Sequence, residues 1–241
     1  MERDRPCRSQ TRRLLNSPRI WLERELAAFS ATLPDGTLLL DAGAGDQRYR
    51  RLFPHCRYES TDFEQVAKKY APSTYVCDLT AIPVADDRFD AVVFTQVMEH
   101  LPDPIAAVRE LARVTRPGGR LFFSGPMFYE EHEVPFDFYR YTSFGVRHVL
   151  ETAGWAEVEV SPLDGFLSVV AHQMRTMKRR LPWRPADYAP GPLGWAGTAV
   201  FVPSKLSLAL LAPLAARLGA RHRHNRATQP MNWMALATKP A

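Results

Sequence analysis

The feature that most constrains the fold is a rhythm in which short apolar runs alternate with helical patterns over the first two thirds of the chain. "TLLLDAG" (37–43), "YESTDF" (58–63), "STYVCDL" (73–79), "FDAVVFTQ" (89–96) and "GRLFFSGP" (119–126) read as five strands. Between the last two, "PDPIAAVRELARVTRPGG" (102–119) spaces Ile105, Val108, Leu111, Ala112 and Val114 as a helix, which Pro117-Gly118-Gly119 stops. "TSFGVRHVLETAG" (142–154) is a second helix, with Thr142 as N-cap and Gly154 past its end. "AEVEVSP" (156–162) alternates as a sixth strand, and "NWMALATKP" (232–240) supplies a seventh. Strands alternating with helices imply an α/β fold with a doubly wound, mostly parallel sheet. Right-handed crossovers gather the carboxyl ends of its strands on one edge, where ligands bind.

The stretch 165–230 breaks this rhythm and predicts a helical insert before the last strand. The organisation expected is a basic N-terminal arm and helix (1–36), a core (37–164), the insert (165–230) and a final strand (231–241). Charge follows the same division. Residues 1–20 sum to +4, residues 21–174 to −9 and residues 175–241 to +10, so an acidic body carries basic ends. Such asymmetry suits an anionic partner, either membrane headgroups or nucleic acid, or else marks solvated tails. Within the insert, "GPLGWAGTAVFVPSKLSLALLAPLAARL" (191–218) carries only Lys205 before Arg217. Pro203 and Pro213 are expected to divide it, so no membrane span is predicted, since a span needs about 20 apolar residues in one element. Arg175, Lys178, Arg179, Arg180 and Arg184 precede this segment and Arg217, Arg221, Arg223 and Arg226 follow, with Trp183 and Trp195 nearby. The combination fits either a membrane-interface element contacting an anionic surface through residues 175–226, or a lid with a solvated basic rim.

Three scattered cysteines (Cys7, Cys56, Cys77) form neither a disulfide framework nor a zinc-ligand spacing, and no metal site is expected. The start, "MERDRPCRSQTRRLL", lacks an apolar signal region, so a reducing cytoplasm is expected, with attachment to the inner membrane face as an option.

The chemistry sits at the strand ends. In "DAGAG", Gly43 and Gly45 open a turn where backbone can approach a ligand and a helix is expected to follow. A dinucleotide fingerprint would need a third glycine where Arg48 stands, which argues against a pyrophosphate cradle and a nicotinamide oxidoreductase. Asp62, ending the second strand, can accept both hydroxyls of a ribose. Asp78 after the third strand can accept from an adenine amine, and Gln96 stands at the mouth of the fourth.

These stretches, "LLLDAGAGDQRY", "TDF", "CDLTAIPVADDRFDAVVFTQVMEHLPDP" and "RVTRPGGRLFFSGP", resemble the class I S-adenosylmethionine-dependent methyltransferases of the "type 11" small-molecule group, over roughly residues 37–165. The resemblance implies a seven-stranded Rossmann-like methyltransferase fold with S-adenosyl-L-methionine as cofactor and S-adenosyl-L-homocysteine as product. It implies that Asp41, Gly43, Ala44 and Gly45 line the methionine moiety and that Asp62 and Phe63 hold the ribose. Asp78 and the Leu79 backbone would hold adenine, and Thr95 or Gln96 would lie near the amino acid and methyl. Asp46-Gln47 stands where many members have a further glycine.

The acceptor is expected over the fourth and fifth strand ends, under the long aromatic loop "PMFYEEHEVPFDFYRYT" (126–142), whose wording resembles methyltransferases among bacterial cell-surface glycan enzymes. There His132 is the candidate base, Arg140 the candidate clamp for a phosphate or carboxylate, and Tyr139 a third candidate. The alternative is that these residues tie the loop down. Glu99-His100 beside Asp103 reads as helix capping and solvation. "TQVM" after the fourth strand is not the (D/N)PP(Y/F) pattern of nucleic-acid amino-methyltransferases, and no Cys follows a Pro there. A hydroxyl of a small or polyprenyl-linked sugar therefore fits as acceptor. A carbon acceptor, an RNA methyltransferase and a non-catalytic cofactor-binding module stay open.

Overall fold

The computed structural model describes residues 16–66, 69–223 and 229–241. The basic arm over residues 1–15, with Cys7, and Arg226 of the second basic run lie outside them. Two compact units are present: Leu22–Leu163 with Asn232–Ala241, and Asp164–Met231 with the segment ending at Trp21.

The larger unit holds a seven-stranded sheet: β1 (Leu38–Ala42), β2 (Arg57–Asp62), β3 (Tyr75–Val76), β4 (Phe89–Thr95), β5 (Thr115–Pro126), β6 (Ala156–Pro162) and β7 (Asn232–Thr238). Their order is β3-β2-β1-β4-β5-β7-β6, with β1 to β5 parallel and β7 antiparallel to both its neighbours. Chain order runs outward from β1 to β3 and then returns to β4, so the switch point falls between β1 and β4. β1 and β4 are central, and their apolar residues Leu39, Leu40, Val92 and Phe94 are all fully buried, as both faces of a parallel sheet require.

Helices cover the faces. In α1 (Ser17–Ser30), Phe29 packs on Phe122 at 5.6 Å between ring centroids. Asp103 caps α2 (Pro104–Val114) by accepting from the Ala106 N–H at 2.9 Å, and the buried stripe Val108, Leu111, Ala112 and Val114 faces the core. Thr142 caps α3 (Ser143–Thr152) through the Gly145 N–H, and Gly154 follows its end at φ +98°.

Three expectations change. No α-helix follows Gly45; a single 3₁₀ turn, Arg50–Leu52, links β1 to β2, because "QRYRRLFP" offers only Leu52 and Phe53 as an apolar face before Pro54. β3 is two residues long, since only Tyr75 and Val76 pair with β2 at the sheet edge. Pro117-Gly118-Gly119 lies inside β5 rather than ahead of it, at a shift in the β4–β5 register.

The smaller unit holds α4 (Phe166–Arg180), a 3₁₀ turn (Pro185–Asp187) and α5 (Pro192–Arg221). Ala171, Ala215 and Ala216 pack against Val170 and Met174. At Gly219 a Cβ would stand 3.2 Å from the Ser168 nitrogen, so glycine permits that approach. α5 corrects the sequence expectation: Pro203 and Pro213 lie inside one continuous 30-residue helix. Each proline removes only one donor from a helix of about eight turns. By length and composition α5 could cross a membrane, and little of its most apolar stretch is buried. Leu193, Trp195, Leu206 and Leu210 are each at least 60% exposed. Lys205 turns inward instead, donating to the Leu181 carbonyl at 2.5 Å and lying over the Trp183 ring.

Candidate active site at the carboxyl edge of the sheet

A cavity of about 260 Å³ opens at the carboxyl ends of β1 to β4. Gly43, Asp62, Phe63, Asp78, Leu79 and Gln96 of the expected cofactor set line it. Gly43 adopts φ +72°, and a Cβ there would lie 2.4 Å from a Val97 methyl, so both conformation and space demand glycine. Asp62, buried at 8% exposure, accepts from the Gly45 N–H at 2.8 Å on one oxygen and from the Glu64 N–H at 3.0 Å on the other. Each oxygen keeps a further lone pair for a ribose hydroxyl. Asp78 holds Thr80 through one oxygen, at 2.8 Å from both its N–H and its hydroxyl. Gln96 takes φ +57°, and its N–H and side-chain amide both donate to Ser124, which fixes the mouth of β4. Such a wall of two carboxylates and a close-approaching glycine fits a nucleoside with a small cationic tail.

Asp41, Ala44, Gly45 and Thr95 are not among the described residues lining the cavity. Asp41 is buried behind it and accepts a short hydrogen bond from the Tyr58 hydroxyl. Burial pushes the Asp41 carboxyl up to about 6, against the Tyr58 bond and assisted by the nearby Asp62 charge. Ala44 and Gly43 donate to the Thr61 carbonyl, shaping the turn. Gln47, where a further glycine is common in the resembling enzymes, holds the left-handed φ of +51° and anchors to Ser60 and Pro72 through its amide.

The opposite wall comes from residues 96–103 and the loop between β5 and α3, through His100, Leu101, Pro102, Glu133, Phe136 and Phe138. His132, Arg140 and Tyr139 do not line the cavity. The Arg140 guanidinium is committed to the loop: it donates to both oxygens of Asp137 at 2.7 and 2.8 Å and to the carbonyls of Tyr129, Glu130 and Tyr139. Burial raises the Asp137 carboxyl, but Arg140 and the His132 N–H overcome this and hold it at about 2. His132 sits against this pair, its Nδ1 3.3 Å from Asp137, and the Tyr139 hydroxyl donates to the Pro102 carbonyl. Arg140 and Asp137 tie the loop together, with His132 against them, and Tyr139 joins the loop to the segment after β4.

Glu99-His100 corrects the expectation of capping and solvation. Asp103 does the capping, while Glu99 is 1% exposed and His100 faces the cavity. Burial pushes the Glu99 carboxyl up to about 8 and the His100 imidazole down. No local sequence signal marks this burial, because it depends on Phe138 and Tyr139 donating their backbone N–H groups to the Glu99 carbonyl from 39 and 40 residues away.

Comparison with known proteins fits this arrangement. Residues 40–123 match the methyltransferase domain family model. A tRNA (carboxymethyluridine(34)-5-O)-methyltransferase of Arabidopsis thaliana is 31% identical over 102 residues, covering 39% of this chain and 25% of that protein. A demethylmenaquinone methyltransferase of Mycolicibacterium paratuberculosis is 57% identical over 44 residues, 18% of this chain and 19% of that protein. The chain thus spans a quarter or less of the length of these relatives. Among solved structures, the [4+2]-cyclase SpnF superimposes with a TM-score of 0.56 at 18% identity over 92% of this chain and 82% of that one. A Haemonchus contortus phosphoethanolamine N-methyltransferase, solved with S-adenosylhomocysteine, gives 0.54 at 15% identity over 91% of this chain and 52% of that one. These two likenesses show the fold, and their different chemistries show that fold alone does not name a reaction. Over residues 40–123 the chain is similar to the methyltransferase domain family, in line with the resemblance that its strand-end motifs carry.

Proposed function

We propose that the protein transfers the methyl group of S-adenosyl-L-methionine to an oxygen of a small or lipid-linked acceptor, most specifically a hydroxyl of a cell-surface glycan precursor such as a polyprenyl-linked sugar. The observation that carries the donor half is Asp62, whose two oxygens are each oriented by one backbone N–H with acceptor capacity to spare. In this reading Gly43 admits the methionine tail, Asp62 and Phe63 hold the ribose, and Asp78 and Leu79 hold the adenine. Gln96 borders the methyl, and the sulfonium supplies a reactive carbon, so the chain contributes alignment and exclusion of water.

The lipid-linked acceptor is supported by the smaller unit, where α5 exposes an apolar surface and Lys178, Arg179 and Arg180 close α4. Apolar helices rimmed by cations bind anionic membrane surfaces, each cation contributing about 1 kcal/mol. The demethylmenaquinone methyltransferase relative, whose named substrate is a quinone, gives further support for an apolar acceptor. The free thiols of Cys56 and Cys77 suit the cytoplasmic side of that surface.

A second reading, methylation of RNA, is favoured by the likeness to the tRNA methyltransferase and by the basic residues of the insert. Transfer of radiolabelled methyl into a cell extract, fractionated into organic-soluble, small aqueous, RNA and protein pools, separates the two. Label in the organic-soluble pool is expected. Label confined to RNA overturns the acceptor class, and its binding would show a log–log salt slope falling by about 0.7–0.9 per phosphate.

A further inference from the structure

Glu99 has no part in the donor site, yet it is the most conspicuous polar group beside the cavity. Both its carboxylate oxygens are buried and lack a hydrogen-bond partner. A buried carboxyl without donors is costly unless a cation meets it. Facing it are the rings of His100 and His132, edge to face at 4.7 Å between centroids. One ligating atom from each of the three residues lies within 4.8 Å of the other two.

The outer nitrogen of His100 is already oriented. His100 Nδ1 stands 2.5 Å from the Phe136 carbonyl, a contact that only an N–H can make, so Nε2 carries the lone pair, 3.8 Å from a Glu99 oxygen. His132 Nδ1 stands 3.2 Å from the Glu130 carbonyl and 3.3 Å from an Asp137 oxygen. A carbonyl or carboxylate on the far nitrogen is the usual support of a metal-bound imidazole. The Arg140 guanidinium, 3.4 Å from the same Nδ1, is neutralised by its two bonds to Asp137.

We propose that Glu99, His100 and His132 form a site for one divalent first-row transition ion, of which zinc is the type. Two imidazoles and a carboxylate match the borderline character of such ions, and three protein ligands leave a position open. Because His100 lines the cavity, that position faces the acceptor side, where an oxygen of the substrate can complete the coordination. Tetrahedral bonds of about 2.0–2.1 Å place ligand atoms roughly 3.3–3.5 Å apart, so the three groups, now within 4.8 Å of one another, draw together by up to about 1.4 Å on binding. No local pattern marks the site, since its three ligands are split between residues 99–100 and 132, on either side of β5.

The test uses full-length protein stripped with a chelator and titrated with Co(II), followed by visible absorption, with Zn(II) competition to fix the affinity. One equivalent is expected, with ligand-field bands that Zn(II) abolishes. Glu99→Gln and His132→Ala should each weaken binding at least a hundredfold, while both variants bind S-adenosylmethionine as the wild type does. His222→Ala, in the smaller unit, should bind Co(II) normally. The proposal is overturned if the wild type binds no ion, if both site variants bind it unchanged, or if only His222→Ala loses it. Because cofactor affinity is read separately, loss of the metal site and loss of the donor-site assignment are distinguishable.

Discussion

The two walls of the cavity are built in different ways. On the donor wall, single residues at consecutive strand ends point directly inward: Gly43 after β1, Asp62 at the end of β2, Asp78 after β3. Backbone groups of the adjoining strand-end turns orient them, Gly45 and Glu64 at Asp62 and Thr80 at Asp78, so function and fold share one edge of the sheet. On the wall proposed for the acceptor, Arg140, Asp137 and His132 hold one another, and Phe136, Phe138, Leu101, Pro102, His100 and Glu133 meet the cavity. In the proposed function the donor side recognises by fixed charge, while the other wall is mainly apolar with Glu133 and Asp103 among its lining residues. A pocket of that kind suits variation of the acceptor on a constant donor site.

The comparison breaks most visibly at Gly43. Replacement by alanine adds the strain of a left-handed backbone, about 1–2 kcal/mol, to overpacking against Val97, about 1–3 kcal/mol. Loss of roughly 3 kcal/mol of stability by urea titration is expected; a variant as stable as the wild type would show that β1 does not need that turn. Asp41 comes next. Its folded carboxyl, at about 6, lies above the ordinary aspartate value of 3.8, so the native state binds the extra proton between those values and stability falls as pH rises from about 4 to 6. Asp41→Asn should flatten that slope and be up to ~3 kcal/mol more stable than wild type at pH 7. Parallel curves for the two proteins would mean that Asp41 titrates normally. The smallest effect concerns the membrane reading: Lys178→Gln should weaken sedimentation with anionic vesicles about fivefold, corresponding to ~1 kcal/mol, and leave vesicle-free cofactor binding unchanged. Equal sedimentation would leave α4 as a solvated rim.

What the sequence disclosed followed the same divide. The strands β1, β4 and β6 were legible because their apolar or alternating runs are set by the sheet faces they pack between. Asp62 and Asp78, read from the strand ends, line the cavity, whereas Asp41, read from the same signal, is buried against the Tyr58 hydroxyl. β3 was overextended because "STYVCDL" carries strand propensity along its whole length, while only two of its residues find a partner. The prolines of α5 resemble breaks by propensity, which counts one lost donor as decisive, whereas the remaining backbone ladder carries the helix on through all 30 residues. Glu99 was misjudged for the opposite reason. An acid and a histidine ahead of a helix resemble a cap locally, and only the folding of a distant loop turns them into a buried pair.

The most direct test of the donor assignment is titration calorimetry of S-adenosyl-L-methionine against the wild type and Asp62→Ala. One site per chain is expected, with affinity at least tenfold weaker in the variant, the scale of a lost charged hydrogen bond of about 1.5–3 kcal/mol. Wild-type affinity in Asp62→Ala, with its fold intact, would contradict the placement of the ribose at the end of β2.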